Sequence, residues 1–407
     1  MKSFKLLIRT VLIYSLGILS TSDVLAIETS SCGYIAQSLI KSKGASFGGS
    51  NGNWSSNKLD IGLSSSIEFE HMAIRGAVNL KDENGLGQGD VSIRQLFVDL
   101  NKEIDNGNVG ARIGKVRYDL SFYNETRSLP MISETIYSPF GIYREQFKNL
   151  ASAGNGIQLY FEKMITEDYV YELSSTITRP DLSDNSEIVA GHFISSATGS
   201  FDQSKSIVKT FNVKLSSYNY DFDIRYDLTN LDFRLVPNQY IRHPVFNLNL
   251  PNPQYGTSRS DTMIHTIGIR KYIDHFDITG EYIIVKKYGD AWKAVQNLYQ
   301  QNIDSVGYVM SLRYRPDSGH EYIVGFDNFG PSTWKNIDSI MFMTGLPRDR
   351  FYIRTKFVGA NFKTPIDSVR VKVQYIEGDG TNALVQSVNT NASRKWNMLG
   401  FQVVYSF

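Results

Sequence analysis

A single cysteine, Cys32, stands in this chain of 407 residues, so no intramolecular disulfide forms, and neither a CxxC redox pair nor a cysteine zinc cluster is available. Charge of one sign is missing too: 42 Lys and Arg face 41 Asp and Glu, which gives no hint of a nucleic-acid partner. After the first residues there is no apolar run long enough to span a bilayer as a helix. A membrane form of this chain must therefore be a closed barrel, because only helices and barrels satisfy every backbone group in hydrocarbon. The six histidines, His71, His192, His243, His265, His275 and His320, fall mostly at expected loops and turns, and no H-E-x-x-H occurs. An enzyme needs a nucleophile and a base held together; no such pairing is visible, and no metal or cofactor is expected.

The first residues supply the compartment. Lys2, Lys5 and Arg9 form a positive region, Leu6 to Leu19 an apolar core, and Val24-Leu25-Ala26 a small-residue cleavage site, the layout of a secretory signal peptide over 1–26. A transmembrane anchor is disfavoured because Arg9, Tyr14 and Ser15 interrupt a short run. Lipid anchoring at Cys32 is disfavoured as well: Thr29-Ser30-Ser31 precede it where small apolar residues belong, and a buried or lipid-facing thiol is the expectation.

Beyond the signal, apolar and polar positions alternate over stretches of about ten residues, as in barrel strands. Among the clearest, Leu59, Ile61, Leu63, Ile67 and Phe69 alternate with Lys58, Asp60, Ser64 and Glu68; Val306 to Arg315 is equally regular. Sixteen such stretches run from Cys32–Lys41 to the terminal strand that ends at Phe407. Gaps after odd-numbered strands are long and gaps after even-numbered strands are short. Asp105-Asn106-Gly107-Asn108 and Pro316-Asp317-Ser318-Gly319 are turns, whereas Gly44–Ser56 and Leu231–Ser260 are loops. A soluble β-sandwich has no reason to sort its connections this way, while a membrane barrel does. No period suggests a propeller or solenoid. The expected fold is all-β: a single 16-stranded antiparallel transmembrane β-barrel over 27–407. The apolar set then meets lipid, and Glu68, Glu70, Arg75, Lys81, Arg112, Glu162, Arg313, Arg315, Arg370 and Lys372 point into the lumen. Sixteen strands enclose an aqueous channel unless something fills it.

The loop at about 119–153 is the candidate filling. Connections of more than about a dozen residues are uncommon and usually functional or disordered. Phe122, Tyr123, Leu129, Ile132, Ile136, Tyr137, Phe140, Ile142 and Tyr143 offer more apolar surface than a solvated linker carries, so the loop packs against the inside of the barrel.

Gly114-Lys115-Val116-Arg117, followed by Tyr123-Asn124-Glu125-Thr126-Arg127, Pro130, Ile136, Pro139 and Ile142-Tyr143, resembles a subfamily of the Gram-negative outer-membrane porins with a Tyr-Asn-Glu-Thr-Arg motif in the third external loop. The strand count and the terminal aromatic alternation resemble the porins at large. The chain departs from the subfamily pattern at Asp119 (Pro there), Ser121-Phe122 (Gly-Leu), Ser128 (Asp) and Ser133-Glu134 (Arg-Pro). The resemblance implies passive diffusion of small hydrophilic solutes or ions through a water-filled pore narrowed by the inward-folded loop. It implies an outer-membrane location among lipid and lipopolysaccharide, with Phe407 recognised by the barrel-assembly machinery. Whether three barrels associate as a homotrimer, as general porins do, stays open. A non-conducting structural or adhesive barrel is the alternative, told apart by the lack of ion conductance; an outer-membrane enzyme is a more distant one.

Charged rings at a constriction set which ions pass. On the loop, Asp119, Glu125, Arg127, Glu134 and Arg144 are the candidates; on the wall, Arg75, Arg112, Arg313, Arg315, Arg370 and Lys372. Each has a plainer alternative as a solvated lumen charge or a loop-to-wall ion pair. Tyr123, Asn124 and Pro130 are expected to fix the loop. Alternation places Lys115 and Arg117 on the lipid face near the outer rim, where anionic headgroups would pair with them, unless the strand bends inward there.

Overall fold

Sixteen long antiparallel strands close on themselves in the computed structural model, which describes residues 28–82, 90–118, 120–123, 129–141, 153–180, 201–202, 206–217, 222–237, 241–242, 249–250, 258–290, 303–334, 337–338, 341, 347–382, 384, 389 and 391–407. They are β1 Glu28–Lys43, β2 Trp54–Phe69, β3 Met72–Asp82, β4 Asp90–Ile104, β5 Gly107–Arg117, β6 Ala153–Thr166, β7 Tyr169–Pro180, β8 Ile207–Ser217, β9 Phe222–Pro237, β10 Ser258–Ile273, β11 Phe276–Asp290, β12 Ile303–Tyr314, β13 Glu321–Pro331, β14 Ile353–Lys363, β15 Val369–Gly380 and β16 Lys395–Ser406. Each pairs with its neighbours in sequence, and β1 pairs with both β2 and β16, so the sheet has no free edge. The register at the seam runs from Tyr34↔Ser406 to Lys43↔Asn397. The proposed signal segment lies outside the described residues.

Connections 70–71, 105–106, 167–168 and 274–275 are two-residue turns, and Asn106 and Asp274 take positive φ in them (57° and 49°), a conformation their short polar side chains tolerate. The opposite rim carries the long connections. One expectation is corrected here: residues 231–235 and 258–260, read from sequence as loop, pair within the tall outer part of the β9–β10 hairpin. Cross-strand hydrogen bonding holds that part where the apolar period has already faded. Pro244, Pro251 and Pro253 lie outside the described residues.

The exterior is apolar and exposed. Leu96, Ile113, Ile157, Leu159, Ile177, Ile267, Ile269, Met310, Val324, Val358 and Val403 all point outward, most of them about half accessible. Monomeric soluble proteins rarely expose apolar patches beyond a few hundred Å², and this one encircles the molecule. Near the short turns aromatic rings meet in pairs: Tyr169 with Phe222 (5.9 Å between centroids), Phe276 with Tyr314 (4.9 Å), Tyr314 with Tyr322 (6.4 Å) and Tyr405 with Phe407 (5.9 Å). Aromatic girdles of this kind mark where a barrel surface passes from hydrocarbon to headgroups.

The interior differs from the expected polar lining. Ile283, Val309, Ile323, Phe329, Ile353, Phe357, Ile376, Trp396 and Met398, on the inner face of β11 to β16, and Ile40 on β1 form a buried hydrophobic cluster. No part of a water-filled bore holds such a cluster unless another element covers it. Phe47 from the first long connection and Tyr123, Tyr137 and Phe140 from the loop between β5 and β6 supply the cover.

Candidate functional site

After β5 the chain turns inward. Ser121 takes a left-handed φ of 60°, the conformation for which glycine is the default residue, and its N–H donates to Asp227 Oδ2 on β9 (2.9 Å). The next N–H, of Phe122, donates to Glu281 Oε1 on β11 (2.6 Å). The Phe122 ring lies 4.6 Å from the Arg270 guanidinium and against Gly268, where a Cβ would come within 2.7 Å of the ring. Tyr123 shares a 2.5 Å hydrogen bond with Ser311 on β12, and burial raises its phenol well above the ordinary value, so the hydroxyl keeps its proton.

Further along, Pro130 is buried in a turn closed by the N–H groups of Ile132 and Ser133 donating to Leu129 O (3.0 and 2.9 Å). From Ser133 to Tyr137 the loop lies along the wall, which grips its backbone. Lys372 Nζ donates to Ser133 O, Asn361 Nδ2 to Glu134 O (3.2 Å), and Gln374 both accepts from Tyr137 N (2.8 Å) and donates to Tyr137 O (3.0 Å). These side chains do for the loop what a neighbouring strand does inside a sheet. Glu134 adds charge: its Oε1 lies 3.3 Å from Arg313 and 3.5 Å from Arg270, and Arg313 and Arg315 both pair with Asp277 (2.5 and 2.7 Å). Phe140 completes the seat between Phe47 (5.7 Å) and Trp396 (5.7 Å), beside Tyr137 (6.1 Å).

The wall opposite is polar. Arg112 pairs with Asp99 (3.2 Å), donates to Gln158 (2.9 Å) and stacks on Tyr160 (4.6 Å). Arg75 pairs with Glu68 (3.4 Å), Lys214 with Glu172 (3.2 Å), and Tyr34, Asn79 and Arg94 are linked through Asp60 and the Tyr34 hydroxyl. Every wall residue buried in the hydrophobic cluster comes from β1 and β11 to β16, so the aromatic part of the loop leans on that side of the bore, while the inward faces of β2 to β8 are mostly polar and Lys58 on β2 reaches the Tyr137 ring (4.1 Å).

The sequence-level candidates therefore separate. Glu134, Arg313 and Lys372 meet between loop and wall, with Lys372 only 1 % exposed; Arg315 joins them through Asp277. Arg112 and Arg75 line the polar side. Arg370 lies lower on β15 and donates to Gly319 O (3.1 Å). Asp119, Asn124, Glu125, Arg127 and Arg144 lie outside the described residues. Phe407 exchanges backbone hydrogen bonds with Gly33 (2.8 and 3.0 Å), and its ring packs where a Gly33 side chain would be. Glu70 sits in the turn after β2, exposed, instead of in the lumen, and Cys32 is exposed, which corrects the buried alternative of the two expected for its thiol.

Asp227, Glu281, Ser311, Asn361 and Gln374 receive the loop and went unnoticed in the sequence, where they are ordinary inward-facing polar positions. One signal was available: Ile283-Ile284-Val285 and Tyr308-Val309-Met310 are apolar on both faces, which a purely wet lumen does not require. Gly48-Gly49-Ser50-Asn51-Gly52 has the G-x-S-x-G spacing, but it is a loop between two strands in which Ser50 Oγ donates to Asn53 O (2.5 Å) and accepts from Ser42 N (2.9 Å). Among the described residues no cluster of three or more His, Cys, Asp or Glu is arranged to hold a metal ion.

No family model matches the sequence, and no curated protein matches it. Solved structures do match in fold. The chain is similar to OmpT, an outer membrane protein of Vibrio cholerae in trimer form (TM-score 0.54, 11 % identity, 94 % of this chain and 100 % of that one). It is similar also to the outer membrane channel DcaP of Acinetobacter baumannii (TM-score 0.56, 10 % identity, 94 % and 97 %) and to an anion-selective porin from Comamonas acidovorans (TM-score 0.54, 8 % identity, 94 % and 100 %). Identities this low carry the fold alone: a closed sixteen-stranded antiparallel barrel of the porin type.

Proposed function

We propose that the chain is an outer-membrane porin through which small hydrophilic solutes or ions diffuse passively. One observation carries this reading: a closed barrel with an apolar exterior has its longest described inward segment bound to one half of the inner wall, while the other half stays polar. A charged solute crossing a low-dielectric layer needs water and fixed charges along its path, and the polar half supplies both. The loop narrows the bore. Asp119, Glu125, Arg127 and Arg144 on the loop and Arg75 and Arg112 on the wall are the selectivity candidates. Glu134, Arg313, Arg315 and Lys372 act as pins that keep the loop in place. Export proceeds through a signal peptide over 1–26, assembly uses Phe407 as its signal, and the barrel resides among outer-membrane lipid and lipopolysaccharide. Association as a homotrimer belongs to the same reading, the Vibrio cholerae protein having a trimer form.

The test is electrical. Refolded protein in a planar bilayer is expected to give stepwise conductance. In a salt gradient the reversal potential shifts for at least one of Arg112→Gln, Glu125→Gln and Arg127→Gln. Folded protein that inserts without conducting favours the structural or adhesive barrel. Identical reversal potentials in all three variants move the filter away from these residues.

A further inference from the structure

The first and last long connections meet over the loop seat. Residues 44–53, between β1 and β2, fold back on themselves. Phe47 and Ser50 exchange backbone hydrogen bonds (3.2 and 2.8 Å), and Ser42 N–H donates to Ser50 Oγ (2.9 Å). The wedge so formed turns its Phe47 ring inward, against Tyr137 (5.6 Å) and Phe140 (5.7 Å) of the inward loop and Trp396 of β16 (5.1 Å). Its root crosses β16 closely. Gly44 takes a φ of 82° and accepts from Ser393 N–H (2.6 Å), and a Cβ there would stand 2.6 Å from Lys395 O.

Asn389, in the connection between β15 and β16, grips this wedge. Its Oδ1 accepts from Ser46 N–H (2.7 Å) and its Nδ2 donates to Ser46 O (3.1 Å). Gln374 holds Tyr137 in the same way, one side-chain amide exchanging two hydrogen bonds with the backbone of one residue. The chain thus uses one device twice, from the wall onto the inward loop and from the last connection onto the first. Asn389 is fixed in turn: its carbonyl accepts from Arg350 Nη1 (3.1 Å), in the turn before β14, and from Ala392 N–H (3.1 Å). Leu384, from the same connection, lies in the hydrophobic cluster with Phe47. Asn389 and Phe47 are 3 % and 6 % exposed, so neither side chain lines the bore.

We infer that Phe47 and Asn389 are positioning residues of the pore: Asn389 clamps the first connection at the outer rim, and Phe47 transmits the clamp to Tyr137 and Phe140, which keeps the inward loop on its seat. This rests on the reading of the chain as a porin. The wall holds the loop through Ser133, Glu134 and Tyr137, and the wedge holds it from the side of the long connections. Interiors are close-packed, so rings leave an aromatic seat only when the space over them is free. Phe47 occupies that space, and the two connections set the width of the bore without touching solute.

The experiment compares wild type with Asn389→Ala and Phe47→Ala, each refolded and checked for folding by heat-modifiable migration on gels. Single-channel current in a planar bilayer and hydrogen exchange at the Tyr137 and Phe140 amides are the readouts, because a role confined to barrel stability moves neither. Asn389→Ala is expected to raise the frequency of open-channel excursions and the exchange rate of both amides at least about tenfold, the factor for one buried polar group left unsatisfied. Phe47→Ala is expected to raise them further. Phe47→Leu keeps a smaller apolar tip, is expected to raise them less, and carries the test where a truncation fails to fold. Arg394→Gln removes an exposed side chain of the same connection that pairs with Asp379 (2.8 Å), and is expected to behave as wild type. A folded Asn389→Ala or Phe47→Leu barrel with a lowered unfolding midpoint but wild-type current and wild-type exchange overturns the proposal. Equal noise in Arg394→Gln overturns it too, since any disturbance of the rim would then suffice. Wild type that inserts without conducting sinks the porin reading instead, while exchange at the two amides still reports on the clamp.

Discussion

Replacing Glu134 by Gln removes one charge from the junction between loop and wall while keeping the side chain's shape. The carboxylate is 7 % exposed and lies between Arg270 and Arg313, whose side chains are 13 % and 12 % exposed. Breaking a buried pair by removing one partner costs about 3–5 kcal/mol, because the remaining charge is left without compensation. Asp277 still faces Arg313, which puts the expectation at the lower end, about 3 kcal/mol; at 1.4 kcal/mol per factor of ten this is an increase of about 100-fold in the population of loop detached from its seat. The aromatic seat remains, so Glu134→Gln is expected to leave the mean conductance unchanged and to add brief excursions to the open-channel current. Salt alters these little, since buried pairs are weakly screened. Adding Phe140→Ala removes a ring that is 1 % exposed, at a further cost of about 3–5 kcal/mol, and the double variant is expected to conduct more per barrel and to be cut by protease within the loop. A folded double variant with wild-type conductance, wild-type current noise and an intact loop would refute the assignment of this junction as what holds the loop.

Three further outcomes follow from the same geometry. Gln374→Ala strips the partner from both backbone groups of Tyr137, and an unsatisfied buried group costs about 1–3 kcal/mol, so hydrogen exchange at the Tyr137 amide is expected to accelerate; unchanged exchange would show that the wall does not grip the backbone there. Gly268→Ala brings a Cβ within 2.7 Å of the Phe122 ring, and overpacking of this kind costs about 1–3 kcal/mol; thermal unfolding should fall and be restored in part by adding Phe122→Leu, and failure of that rescue would place the strain elsewhere. Ser121→Gly relieves a φ of 60°, a conformation that costs a non-glycine residue about 1–2 kcal/mol; a rise in the unfolding midpoint is expected, and a fall would mean that the serine's own contacts outweigh the strain.

Strand number, the sorting of turns from loops and the outward apolar belt were legible in the sequence, because a strand's two faces are written at a spacing of two residues and lipid accepts only one kind of face. The loop's apolar content likewise announced that it packs. The tertiary structure alone decided where. Contacts that seat the loop join residues far apart in sequence, Ser121 with Asp227 at 106 positions and Ser133 with Lys372 at 239 among them, and no local period records such a pairing. For the same reason Glu134 and Lys372 looked like lumen charges: whether a charged side chain meets water or a covering segment depends on what lies across the bore. Sequence alternation tells in from out, and only the closed barrel tells wet inside from covered inside.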